Sequence, residues 1–135
     1  MKKRKKGIVI LAVAVVLLGA AFMVKYFLDV ASYRQKVASI KFQHQDASGL
    51  PDGLYRGECD VKFIYARVEV EVADGAFARV EVLEHKHDRG GGAEAVAPRI
   101  LKEQKVDVAV VSGATNSSQT IKKAVDNALG SEKIS

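Results

Sequence analysis

Residues 112–118 read Ser-Gly-Ala-Thr-Asn-Ser-Ser, and their types suit the holding of an anion. Ser112, Thr115, Ser117 and Ser118 offer hydroxyls and Asn116 an amide, while Gly113 and Ala114 are small enough for close backbone approach. The stretch lies between a β-branched run at 106–111, which predicts a strand, and an amphipathic run at 119–129, which predicts a helix. A helix starting there leaves its first N–H groups unpaired and presents its positive dipole end, a combination that seats phosphate. The same residues also describe a serine-rich N-cap that merely starts a helix.

A second polar cluster, Glu84-His85-Lys86-His87-Asp88-Arg89-Gly90-Gly91-Gly92, admits three readings. His85 and His87 share one side of a continuing strand and could supply two nitrogens to a metal, yet no further His or Cys is near and the set is incomplete. A strand could simply end in a glycine loop. Or the loop faces a ligand, with Arg89 and the amides of Gly90 and its neighbours meeting an anion. The glycines lack the lysine and spacing of a nucleotide P-loop. Neither a Ser/His/Asp triad nor a pair of catalytic carboxylates follows from the spacing, so hydrolase or kinase activity has no positive support. The single Cys59 has no internal disulfide partner and is expected to pack as a small apolar residue in a strand.

These residues need a scaffold, and most of it is legible. The alternation of Val68, Val70 and Val72 with Arg67, Glu69 and Glu71 returns after Asp74-Gly75 as Ala78, Val80 and Val82 against Arg79, Glu81 and Leu83. Two such runs about Asp-Gly predict a β-hairpin, and residues 55–59 add a short strand. With valine on one face and charge on the other, the sheet needs helices on its apolar side. Residues 92–104 and 119–129 supply them. Pro98 implies a late start or a kink in the first. In the second, Ile121, Ala124, Val125, Ala128 and Leu129 share a face, Lys122, Lys123 and Asp126 point away, and Gly130 is placed to stop it.

Lys2, Lys3, Arg4, Lys5 and Lys6 precede an uninterrupted apolar run over 8–24. The run is long for a signal-peptide core and lacks a clear cleavage site, although the order of charge and apolar run is shared with one. An uncleaved anchor in the lipid bilayer is expected, with the basic tip cytoplasmic and the rest outside. Without these five residues the remaining Lys and Arg equal the 16 Asp and Glu, so the net charge of +5 reports topology and argues against nucleic acid as a partner. The expected organisation is a basic tip and anchor over 1–25, a helical stalk and linker over 26–52, an α+β domain over 53–130 with a small antiparallel sheet packed against helices, and a tail over 131–135. His44 in the linker has no evident partner.

Taken together, Asp52-Gly53-Leu54-Tyr55-Arg56-Gly57-Glu58, the hairpin, Val82-Leu83-Glu84-His85-Lys86, the glycine turn, the helix ending in Ile100 to Gln104 and the Ser-Gly-Ala-Thr turn resemble the FMN-binding domain family. That family includes the periplasmic flavin subunits of Na⁺-translocating NADH:quinone reductase and of Rnf electron-transport complexes. The resemblance implies an FMN carrier at the outer membrane face, exchanging electrons with membrane or extracytoplasmic redox proteins. It also implies that Thr115 stands where many members carry FMN in phosphodiester linkage, placed there by a flavin transferase that uses FAD. Those members usually have an aspartate three residues before the motif serine; here that position is Ala109, with Asp107 two residues earlier. A binding module for another phosphorylated ligand, without redox chemistry, is the alternative.

Overall fold

The computed structural model describes residues 2–87 and 91–134. They form two compact units, 1–35 and 36–135. The first consists of most of helix α1 (Lys2–Ala38), 37 residues with no buried side chain. Its apolar run is long enough to cross a membrane.

The second unit is α+β. Strands β1 (Gly53–Asp60), β2 (Tyr65–Ala73) and β3 (Ala76–Lys86) form an antiparallel sheet in the order β1-β2-β3. A 3-10 turn (Gly91–Ala95), α2 (Val96–Glu103) and α3 (Thr115–Leu129) follow. The hairpin forms as the sequence predicts. Ala73 pairs with Ala76, and Asp74 and Gly75 take φ of 54° and 73°, the two left-handed residues that a two-residue turn with the twist of its strands requires. Cys59 packs against the core, as expected of it.

The phase of β3 differs from the simple alternation. Val68 pairs with Val82 but Arg67 with Glu84, and Glu71 pairs with Arg79 but Val72 with Phe77. Leu83 and Ala78 are therefore extra residues, two β-bulges, and each reverses the faces beyond it. Phe77 replaces Ala78 as the inward residue and is 3% exposed. The amide of Gln104 clasps the first bulge, accepting the Phe77 N–H at 2.7 Å and donating to the Phe77 carbonyl at 2.9 Å.

Pro98 sits in the first turn of α2, where its missing N–H costs no helical bond, so the helix starts late and does not kink. α3 starts earlier than expected, at Thr115, and Gly130 ends it with φ −89° rather than in the left-handed form. The helix is also buried on more sides than its pattern suggests. Lys122 and Asp126, expected to point away, are each 2% exposed. The Lys122 ammonium donates to Asp107 Oδ1 at 2.6 Å and to the Val108 carbonyl at 2.7 Å, and lies 5.1 Å from the Phe42 ring centre. Asp126 accepts the backbone N–H groups of Gln43 and His44, a bond to His44 Nδ1 at 3.0 Å and one from Lys123 Nζ at 2.7 Å. The aperiodic stretch before β1 is thus bonded to α3, His44 has a partner after all, and Ala47 is buried in the core.

The expected strand over 106–111 is absent from the sheet. Val106 and Val108 are buried between exposed neighbours, the alternation of an extended chain, yet among the described residues no strand pairs with them. Their backbone groups are satisfied from elsewhere: the Val106 N–H by the Gln45 carbonyl, and the Ala109 and Val110 carbonyls by Arg99 Nη1.

α3 lies directly on β1 at Gly57. A Cβ there would stand 2.2 Å from the Ala124 carbonyl oxygen and 2.3 Å from the Ala128 nitrogen, backbone atoms that cannot turn aside. Gly57→Ala is expected to destabilise the folded unit by more than about 3 kcal/mol, the upper range for overpacking a core. Urea unfolding of the detergent-solubilised chain measures it.

Candidate functional site

The Ser-Gly-Ala-Thr turn is built by hydrogen bonds that cross it. The Ala114 N–H donates to the Val111 carbonyl at 3.0 Å, closing a turn in which Gly113 has φ 80°, a conformation that favours glycine at the third residue. Ser118, fully buried, ties both ends of that turn. Its hydroxyl accepts the Val111 N–H at 3.0 Å and donates to the Ala114 carbonyl at 2.7 Å. Its oxygen is therefore spent inside the protein.

At the helix start, Ala114 occupies the N-cap and makes no side-chain cap. The Ser118 N–H reaches back to the Ala114 carbonyl at 2.9 Å, so the amides of Thr115, Asn116 and Ser117 precede the first helical bond. The ordinary serine cap is thus not what the structure builds. Thr115 is the first helical residue and is exposed, as are Asn116, Ser112 and Gly113; Ser117 is 3% exposed. An exposed hydroxyl beside three amides at the positive end of a 15-residue helix can hold an anion and can itself be esterified.

The glycine turn adjoins this start, and the end of β3 meets the glycine turn. A Cβ on Gly92 would lie 3.8 Å from Val111 Cγ1, the residue before the motif, and the 3-10 turn packs against α3. The Leu83 bulge turns His85 to the helix-covered side, opposite the fully buried Ala66. Its side chain is 1% exposed, 3.5 Å from Glu94 Oε1 and with its ring centre 4.5 Å from that of His87. At 3.5 Å the Glu94 contact is too long for a good hydrogen bond, and among the described residues neither imidazole nitrogen makes one. Burial, then the neighbouring His87, lowers the His85 pKa, so the ring is neutral at pH 7. Arg89 and Gly90 lie outside the described residues. Among the described residues no group of three His, Cys, Asp or Glu side chains could hold a metal.

Sequence reasoning missed Gln119. Its Oε1 is buried without a hydrogen-bond partner, and His85 and Gln119 are the residues that carry such orphaned side-chain atoms among those described. The signal was its spacing: Gln119 follows Thr115 by four residues and so shares its helix face. An open depression of about 490 Å³ lined by Asp60, Lys62, Phe63, Tyr65, Glu84 and Lys86 contains no residue of the turn. Glu84 and Lys86 flank His85 in β3 and point to the opposite, charged face, so the depression is separate from the turn.

The FMN-binding domain model matches residues 62–130, from the β1–β2 loop to the end of α3 and just over half of the chain. The chain belongs to the FMN-binding domain family, and FMN is its cofactor. No curated protein matches it. Ahead of the matched stretch stands a helix long and apolar enough to cross a membrane. The described residues fit such a group: an uncapped helix start suits its phosphate, and two orphaned polar side chains stand ready for its polar atoms.

Two outcomes test this geometry. Ser118→Ala leaves the Val111 N–H without its partner and is expected to cost about 1–3 kcal/mol, measured by denaturant unfolding. The lowered pKa of His85 fixes a pH dependence. The unfolded chain takes up the proton first, so stability is full above the ordinary value of 6.5 and falls as pH drops below it. His85→Phe removes this loss. A separate loss below 3.8 remains from Asp126, where burial raises the pKa but the bonds from Lys123, Gln43 and His44 outweigh it. Thermal midpoints from pH 8 to 3 resolve the two windows.

Proposed function

We propose that the protein is a single-span, extracytoplasmic FMN carrier that passes electrons between membrane or extracytoplasmic redox proteins, with its flavin attached through Thr115. The exposed Thr115 hydroxyl at an uncapped helix start carries this reading. The basic tip at residues 2–6 supports the orientation, since Lys and Arg flanking a span are retained in the cytoplasm. When bound, FMN supplies one- and two-electron chemistry, and the protein supplies placement and electrostatics.

In this reading, the Thr115, Asn116 and Ser117 amides hold the phosphate while Ser118 keeps the turn in shape. A flavin transferase loads the chain: Thr115 Oγ1 forms a bond to the flavin-side phosphorus of FAD, the pyrophosphate bond breaks, AMP leaves, and the hydroxyl proton is lost. The aspartate usual in modified members is Ala109 here. Asp107 is engaged by the buried Lys122 at 2.6 Å, which leaves it committed to holding the 106–111 segment. Loading at Thr115 would then rely on the amides and on the transferase's own groups.

Co-expression with a flavin transferase should give protein that stays yellow in denaturant and gains the mass of one FMN, less water, with Thr115→Ala unmodified. An unshifted mass, with FMN bound equally well by Thr115→Ala, sinks the attachment at Thr115. Retained binding of another phosphate compound without flavin colour would favour a non-redox binding module.

A further inference from the structure

The two orphaned side chains sit on different elements, His85 on β3 and Gln119 on α3; α2 packs against both, α3 also packs against the 3-10 turn, and His85 lies 3.5 Å from Glu94 of that turn. A buried acceptor or imidazole without a partner destabilises the folded protein, so each such group in a native protein calls for an explanation. Elsewhere the described buried polar side chains are satisfied: Lys122, Asp126, Ser118 and Thr120 all have partners. The lack is therefore local to the elements around the candidate site.

Spacing indicates which part of a ligand would meet them. Gln119 lies one turn along α3 from Thr115 on the same face, about 6 Å away in a regular helix. A phosphate on the first amides would bring the carbon chain attached to it within that reach. Gln119 Oε1 only accepts, and it needs an O–H or N–H donor; neutral His85 offers one donor and one acceptor. A chain of hydroxyls meets both needs, because each hydroxyl donates and accepts.

Resting on the FMN reading above, we propose that Gln119 and His85 hold the flavin's polyhydroxylated ribityl chain by direct hydrogen bonds. They are positioning residues, fixing the chain between the phosphate seat and the ring.

The test uses the full-length chain in detergent, made without flavin transferase, with binding read by quenching of flavin fluorescence. Riboflavin carries the ribityl chain without phosphate, and lumiflavin carries neither. Gln119→Met and His85→Phe keep shape and remove the polar atoms. Each is expected to weaken FMN and riboflavin about tenfold while leaving lumiflavin unchanged, the effect of one lost hydrogen bond. Thermal midpoints at pH 7 should stay level or rise, since an unpaired buried polar group is removed. Unchanged riboflavin binding in both variants overturns the proposal, as does an equal loss for lumiflavin or a lowered midpoint, which would mark these side chains as structural. If the wild-type chain binds no flavin, the reading beneath the proposal fails and takes the proposal with it.

Discussion

The close seating of α3 on β1 at Gly57 is the contact on which the domain depends. Only a residue without Cβ lets the helix backbone reach the strand, and this approach places the whole of α3 deep enough for Lys122 and Asp126 to be enclosed. Enclosed charges must find partners, and theirs organise what surrounds the helix. Asp126 gathers the backbone of Gln43 and His44, and Lys122 gathers Asp107 and the Val108 carbonyl. The segments before β1 and before the motif are therefore held by side chains of α3 rather than by a sheet. The turn at Ser112 inherits its position from the same helix, through Ser118.

That dependence explains what was legible in the sequence. The hairpin was, because Asp-Gly and period-two alternation are local signals. The helix over 119–129 and the late start of α2 at Pro98 were equally local. The extended run over 106–111 carries strand composition, but a strand is defined by a partner, and no local pattern reveals that Lys122 and Arg99 take the partner's place. Charged residues on α3 read as solvent-facing because burial of a lysine or aspartate is rare without a partner, and apart from Lys123 the partners here lie 14 to 83 residues away in sequence.

The candidate site was legible as a list of residues and opaque as a division of labour. Ser118 and Thr115 are both small hydroxyl residues in one motif, yet one clasps the turn from inside and the other stands exposed at the helix start. Which is which depends on helix phase, and the helix begins at Thr115, four residues before the amphipathic run at 119–129. Gln119 stayed hidden for a related reason: a polar residue at the edge of an amphipathic pattern reads as solvated until its burial is known. The family match accounts for the cofactor, while the chain's own contacts describe how its turn is built.

The bulges at Ala78 and Leu83 divide β3 into three pieces, each with its own parity. Side-chain direction along this strand is therefore a matter of counting residues rather than of composition. Were the bulge at Leu83 smoothed out with every residue kept, Leu83 would fall opposite Arg67 and Glu84 opposite Ala66, sending His85 into water and a carboxylate to the helix-covered side. A strand of the same length that pairs without this bulge would present opposite chemistry to the covered side, even with every motif letter intact, whereas one shorter by the bulged residue would not.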